Sequence, residues 1–343
     1  MPSLATLITQ ASGQWDPALE RQLFATDHPG AIAGALESFV AERCGPVGDA
    51  LFYRPGVGVV AGLRLLNGSE VVVKVHRWNV SLARLQAVQA VQARIADAGL
   101  PAPRPLAEPG ALAAGIATIE ELQRGTGADG RDPAVRRAMA QGLFDFVTAA
   151  APLVGRADVG AALMIRPPGA PLWFEPHDVR FDFPGTSEGA QWIDELAGQA
   201  RSRLERVTAP DVIGHFDWRV QNLAFAGTRI VGIFDWDSVA AASEAMVVGN
   251  TAAQFTADWS GDEADPLPTV EDMRAFVVDY QEVRGRAFTT EELDALDAAN
   301  LFLCAYGARC EHSDRSRHPE LIRDHQGTWI HLLHERGKRA LIG

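Results

Sequence analysis

The sequence predicts an α+β chain of two lobes, a small strand-rich N-terminal lobe preceded by helices and a larger, mainly helical C-terminal lobe. Three observations predict it. A chain of 343 residues is long enough for about two domains, or for one two-lobed protein with a sizeable core. Between Ala50 and Arg77 three apolar runs occur, with an Asn67-Gly68 turn between the second and third, which is the pattern of strands and a hairpin. After Ser238 the apolar residues recur at helical spacing almost to the end of the sequence. The boundary is expected between residues 122 and 123, giving lobes 1–122 and 123–343.

Composition narrows the function classes. Hydrophobic residues at 47% and charged residues at 22% are those of an ordinary globular protein, so disorder is excluded. A net charge of −13 argues against sequence-independent binding to nucleic acid, which needs clustered Lys and Arg. The same acidity suits a cationic small molecule, or serves only solubility. Three cysteines, Cys44, Cys304 and Cys310, form no disulfide framework and fit a reducing compartment. With no basic-then-apolar leader and no apolar run of about 18 residues, the expectation is a cytoplasmic protein without a membrane segment.

In chain order, Asp16-Pro17 reads as a helix start, and Pro29 to Cys44 as a helix carrying Ile32, Leu36, Phe39 and Val40 on one face and stopped by Gly45-Pro46. In the strand region, Gly56, Gly58 and Gly62 are candidates for a loop covering phosphates, although they do not fit G-x-G-x-x-G. Lys74 interrupts Val71-Val72-Val73 and Val75, and a buried ammonium needs a partner. Ser81 to Ala98 is an amphipathic helix ended by Gly99 and Pro101. No acid lies between Lys74 and Asp97; the helix carries Gln86, Gln89 and Gln92 instead. Ile116 to Leu122 reads as a strand running into the Gly-rich break Gln123 to Gly127. Asp132-Pro133 starts a helix to about Ala151. Val154 to Thr186 is a long Pro- and Gly-rich loop with Trp173, Phe174, Phe181 and Phe183, in which His177, Asp178, Arg180 and Asp182 are candidate substrate contacts unless the aromatics simply pack the loop on the core. A helix from Ser187 to Val207 follows.

The chemistry concentrates in IGHFDWRVQNLAFAGTRIVGIFDWDS, residues 213–238. His215, Asp217 and Asn222 form H-x-D-x-x-x-x-N. Two apolar runs about Gly227 read as a hairpin that brings its ends, Asn222 and Asp235, together. Magnesium on a nucleotide needs only one or two protein oxygens, which Asn222 and Asp235 offer, and a carboxylate just before them, Asp217, is placed to take a proton from an acceptor hydroxyl.

At these residues the chain resembles the aminoglycoside phosphotransferase and choline kinase family, small-molecule kinases on the protein-kinase fold, through the H-x-D-x-x-x-x-N loop and the Ile233-Phe234-Asp235-Trp236-Asp237 motif. The resemblance covers about residues 50 to 260. It implies ATP and Mg²⁺ as cofactors, Asp217 as catalytic base, Asn222 and Asp235 as metal ligands, His215 as support for the loop, and Arg219 as the cation near the transferred phosphate. It also makes Lys74 the strand lysine on the α- and β-phosphates, with Gly56 and Gly58 near them, and puts an adenine edge against backbone groups near Glu121 and Leu122. The acceptor would be a small-molecule hydroxyl, on an aminoglycoside, an amino sugar or another amine-bearing alcohol. A protein kinase, a nucleotidyl transferase and a non-catalytic nucleotide sensor or scaffold stay open as alternatives, the last because the helix after Lys74 lacks its acid.

After Ser238, Val239 to Ala242 is expected to run directly into a helix from Glu244 to Asp258, followed by helices opened by Thr269-x-x-Asp272 and Thr290-x-x-Leu293, ending at Gly285 and about Glu311, and one from Pro319 to Lys338. The turn Gly261 to Asp265 is a candidate for a cationic acceptor or a solvated loop, and His312, His318, His325, His331 and His334 match no zinc spacing and read as helix surface.

Overall fold

The computed structural model describes residues 2–12, 18–77, 80–167, 169–178, 180–259, 266–317 and 328–341. The chain divides into two compact units, Met1–Arg124 with Ala157–Val159, and Gly125–Arg156 with Gly160–Gly343. The expected helix start at Asp16-Pro17, the turn 261–265, and His318 and His325 lie outside the described residues.

In the first unit, helices α1 (Leu4–Ala11), α2 (Leu19–Phe24) and α3 (Pro29–Cys44) precede strands β1 (Val47–Pro55), β2 (Val59–Leu65) and β3 (Glu70–His76), helix α4 (Leu82–Asp97), and strands β4 (Pro105–Leu112) and β5 (Gly115–Glu121). The strands form one antiparallel sheet in the order β1-β2-β3-β5-β4. Side chains alternate across a strand. On β3, therefore, Val71, Val73 and Val75 point into a core with Ile8, Leu23, Leu36 and Val40 from the first three helices, each valine fully buried. Such burial contributes about 1.5 to 3 kcal/mol per side chain. Glu70, Val72 and Lys74 alternate onto the opposite face and are half-buried.

Helix α4 starts at Ser81, whose side chain accepts from Arg84 N–H, and it buries Leu85, Val88, Val91 and Ile95. Leu82, in its first turn, is 42% exposed. Strand β4 was not expected. It forms because residues 105–112 complete the sheet beside β5, a pairing with two register shifts that leaves little alternation to read.

In the second unit, helix α5 (Pro133–Ala150) begins at Asp132, whose carboxylate accepts from Ala134 and Val135 N–H. Next come α6 (Gln191–Leu204), β6 (Asp211–His215), β7 (Leu223–Ala226), β8 (Arg229–Ile233), β9 (Val239–Ser243), α7 (Glu244–Ala252), α8 (Val270–Arg284), α9 (Thr290–Arg317) and α10 (Trp329–Arg336). The hairpin read from the sequence is present, with Leu223 opposite Ile233. Val239 to Ser243 is a strand paired with β6, with His215 opposite Val239, rather than a bare lead into a helix. Helix α7 ends at Ala252, short of the expected Asp258, because the backbone and side chains that follow are drawn to the loop after β6, as described below.

At 28 residues, α9 is longer than expected and spans about 40 Å. Its cap is Thr289, whose hydroxyl accepts from Glu292 N–H while Glu292 accepts from Thr289 N–H, one residue earlier than the Thr290 start inferred from sequence. A Cβ at Gly249 of α7 would lie 2.1 Å from the Leu296 carbonyl oxygen, so only glycine allows α7 and α9 to approach this closely.

Charges lock the C-terminal segment to α9. Asp297 accepts from Arg336 at 2.6 Å, Arg203 at 2.7 Å and Leu341 N–H at 2.7 Å, and the Arg336 side chain is 1% exposed. Burial raises the Asp297 carboxyl, but Arg336, the Leu341 N–H and Arg203 outweigh it and the net shift is downward. Likewise at Glu292 burial raises the carboxyl, while hydrogen bonds from Arg286 and Arg284 outweigh it and bring it to about 2.

Removing Asp297 leaves a buried guanidinium without its carboxylate, so Asp297→Ala is expected to lower the unfolding free energy by about 3 to 5 kcal/mol, read from a urea melt. Because both carboxyls sit below their unfolded values, their contribution is complete above about pH 5. It is lost as pH falls from 4.5, the ordinary Glu292 value, toward about 2. The melting temperature of the parent chain should therefore fall over that window more steeply than that of Asp297→Asn.

Candidate active site

The aromatic rings under the loop after β6 fix its shape. Phe146 of α5 has its ring centroid 6.1 Å from those of His215 and Trp218 and 5.6 Å from that of Trp236. Trp218 is fully buried, and its Nε1–H donates to the Met139 carbonyl at 3.1 Å; Trp236 Nε1–H donates to the Ile233 carbonyl at 2.8 Å. Both indoles thus bury their area without leaving a polar atom unpaired.

On this platform His215, fully buried, joins the two halves of the motif. Its Nδ1 accepts from Asp217 N–H at 3.3 Å, which makes Nε2 the protonated nitrogen, and Nε2 lies 2.8 Å from the Phe234 carbonyl. Ser238 Oγ sits 3.1 Å from Nδ1 and donates to the Asp235 carbonyl at 2.9 Å. Phe234 N–H donates to the Asn222 carbonyl at 2.9 Å. One neutral imidazole and one backbone bond therefore hold Asp217, Asn222 and Asp235 in register.

The Asp217 carboxylate is held on both oxygens. Oδ1 is 2.9 Å from Arg219 Nε, and Oδ2 accepts from Asn222 Nδ2 at 2.6 Å. Asn222 Nδ2 also donates to the Asp217 carbonyl at 2.9 Å, so the amide's donor end faces Asp217 and its carboxamide oxygen is turned away from it. Asp235 is in the left-handed region, with φ 62° and ψ 51°. Such strain in a non-glycine residue persists only where the surroundings enforce it, and it clusters at functional sites. The oxygens of Asn222 and Asp235 are the hard donors that a divalent cation on phosphates prefers.

Two residues that sequence reasoning missed, one on α7 and one just past its end, complete the support. Asn250 Nδ2 and Gln254 Nε2 both donate to the Phe216 carbonyl, at 2.6 and 2.8 Å, and Phe255 accepts from Val220 N–H at 3.0 Å. The signal was there, since two amides four residues apart interrupt an apolar helical stretch. At the start of this unit, Gly125 approaches β7 so closely that a Cβ would lie 2.7 Å from that of Ala224.

The loop 154–186 is packed largely by its aromatics, as the plainer reading had it. Phe181 and Phe183 join Tyr306 and Cys310 of α9 in one cluster, with Trp173 and Phe174 against it. Asp182 caps its own turn by accepting from Gly185 N–H, and Arg180 lies 3.5 Å from Asp314. His177 differs. It is 2.8 Å from the Tyr306 hydroxyl, and burial pushes its imidazole down, the surrounding charges being Asp178, Arg180, Asp217 and Arg219. Asp178, 2% exposed, lies beside it.

The other predicted residues belong to the first unit. Gly56 and Gly58 form the turn between β1 and β2, where Gly56 N–H donates to the Gly58 carbonyl at 2.8 Å. Lys74 stands on β3 opposite Val60 and Thr118. Glu121 and Leu122 donate their N–H groups to the carbonyls of Arg104 and Glu70, so pairing of an adenine edge with these two residues is confined to their carbonyl oxygens. Among the described residues no three His, Cys, Asp or Glu cluster as a metal site; His331 and His334 are exposed, and His312 is half-buried with Nε2 2.9 Å from the Glu188 carbonyl. No helix of the described residues is long and apolar enough to cross a membrane.

The phosphotransferase enzyme family model matches residues 63–286. No curated protein matches the chain. Among solved structures the chain is similar to amicoumacin kinase hAmiN in complex with AMP-PNP, Ca²⁺ and Ami, with a TM-score of 0.58 at 10% identity over 85% of this chain and 89% of that one. It is similar to spectinomycin phosphotransferase in complex with ADP and spectinomycin, with a TM-score of 0.54 at 10% identity over 89% and 98%. It is also similar to a Plasmodium vivax ethanolamine kinase, with a TM-score of 0.51 at 11% identity over 83% and 80%. At these identities the likeness is one of fold, the protein-kinase-like fold expected from the sequence. With the family model spanning most of its length, the chain belongs to the phosphotransferase enzyme family and is itself a phosphotransferase.

Proposed function

We propose that the chain transfers the γ-phosphoryl group of ATP, bound with Mg²⁺, to a hydroxyl of a small amine-bearing molecule, and does so in the cytoplasm. The observation that carries this reading is the Asp217 carboxylate, anchored through Asn222 and Arg219 yet still 22% exposed at its side chain. A carboxylate fixed in this way is oriented to accept a proton from a hydroxyl placed against it.

Asn222 and Asp235 would hold the cation, which supplies charge neutralisation on the phosphates. The chain's own residues do the rest. Arg219 holds the carboxylate of Asp217 and brings positive charge beside the acceptor oxygen. Lys74, with the Gly56–Gly58 turn, would meet the α- and β-phosphates, and the carbonyls of Glu121 and Leu122 would face the adenine. The first unit is thus read as the nucleotide-binding lobe and the second as the catalytic and acceptor lobe. His177, beside Asp178 and with Asp217 in its charged surroundings, is the loop residue best placed to meet the acceptor. The nucleotides and cation named with the similar structures, AMP-PNP with Ca²⁺ and ADP, support ATP and a divalent ion. Spectinomycin and ethanolamine, named for two of them, support an amine-bearing acceptor, which the net charge of −13 suits.

The test is nucleoside-diphosphate release from Mg-ATP across aminoglycosides, peptide antibiotics, amino sugars and cationic alcohols. One class should stimulate release, with a product heavier by one phosphoryl group; a product heavier by a nucleotide would show nucleotidyl transfer instead. Asp217→Asn keeps the size of the side chain and removes the base, so kcat is expected to fall by about 10² to 10⁴ with nucleotide affinity retained. Asp235→Ala is expected to abolish the Mg²⁺-dependent part of nucleotide binding in calorimetry; Mg²⁺-dependent binding unchanged from the parent chain takes Asp235 out of the site.

A further inference from the structure

The helix that follows Lys74 carries no acid before its last residue, Asp97, which pairs with Arg104, and the sheet points to a carboxylate nearer the lysine. Strand β5 lies antiparallel to β3, with Lys74 opposite Thr118 and Val72 opposite Glu120. Lys74, Thr118 and Glu120 therefore project from one face, the face away from the helical core that takes Val73 and Ile119. Glu120 is the diagonal neighbour of Lys74. The same diagonal step, two residues further along, joins His76 to Thr118, whose side chains meet at 3.0 Å. Two longer side chains at an equivalent diagonal are within reach of one another.

Glu120 is also held in place from the far side. Gln92 of α4, 3% exposed, donates its Nε2–H to Glu120 Oε2 at 2.5 Å. This is one of the helix positions where an acid would be expected, and it carries a hydrogen-bond donor aimed at the carboxylate. Lysine is also rare here. The chain has two, Lys74 and Lys338, against 31 Lys and Arg together, so a compact ammonium has been kept where arginine serves nearly everywhere else.

We propose that Glu120 is the anionic partner that positions Lys74, the acid having moved from the helix to the neighbouring strand, with Gln92 orienting it. The proposal rests on the reading of Lys74 as the phosphate-binding lysine. Glu120 acts through Lys74 and is a positioning residue.

The experiment uses amine labelling of the full-length chain by trinitrobenzenesulfonate at pH 8.5, with Lys74 and Lys338 quantified by peptide mass spectrometry. Lys338, whose side chain is 70% exposed, is the internal reference. A neighbouring carboxylate favours the ammonium form. Glu120→Gln is therefore expected to raise the labelling rate of Lys74 about tenfold relative to Lys338, the change in free amine for a shift of one pH unit. Adding Gln92→Glu to Glu120→Gln keeps the hydrogen-bonded pair and returns the acid from the helix side, so it should bring the rate back near its starting value. A merely structural defect would not be corrected by moving the charge. An unchanged Lys74 rate in Glu120→Gln, or no return in the double variant with its melting temperature intact, overturns the proposal. Protection of Lys74 by Mg-AMP-PNP in the parent chain tests the underlying reading separately. Absence of protection removes Lys74 from the nucleotide site, and the proposal falls with it.

Discussion

The arrangement of the catalytic segment depends on one neutral imidazole. His215 accepts from the backbone of Asp217 and donates to the backbone of Phe234, so a loop and a hairpin end far apart along the chain are set against each other through one ring. The ring is fully buried among Phe146, Trp218 and Trp236, which excludes water that would compete for those bonds. The strain at Asp235 is tolerable because these contacts over-determine the turn it begins.

Around this centre the second unit works as a scaffold of buried amides and rings. Asn250 and Gln254 converge on the Phe216 carbonyl, and that demand shapes the end of the helix. Helix α7 stops at Ala252 although no glycine or proline follows it at once, because Gln254 and the Phe255 carbonyl are drawn to the loop. Local structure here follows from the site rather than the reverse.

What could be read from the sequence were features with a local cause. The caps at Asp132 and Thr269 bond within their own turns, and the hairpin from Leu223 to Ile233 carries its turn at Gly227. The spacing of His215, Asp217, Asn222 and Asp235 drew attention to the segment whose geometry proved the most constrained. What could not be read depended on distant partners. Val239 to Ser243 is rich in alanine and gives no strand signal, yet it pairs with β6. Strand β4 is built across register shifts, and the acid expected on α4 has a counterpart on β5 that only the strand register brings beside Lys74. The aromatics of the loop 154–186 were visible as a group, but their packing on Tyr306 was not, because it joins residues more than a hundred positions apart.

The lock between Asp297 and Arg336 has a consequence for how the chain is made. The two residues are 39 positions apart, and Asp297 emerges from the ribosome first. At synthesis rates of about 5 to 20 residues per second, α9 waits on the order of seconds for the guanidinium that neutralises its buried carboxylate. Until then the helix carries a charge for which its packed environment has only Arg203. Vectorial synthesis thus leaves Asp297 without two of its three donors, Arg336 and Leu341 N–H, until the C-terminal segment is made, while the antiparallel sheet of the first unit, complete by Glu121, has all its strands in hand much earlier.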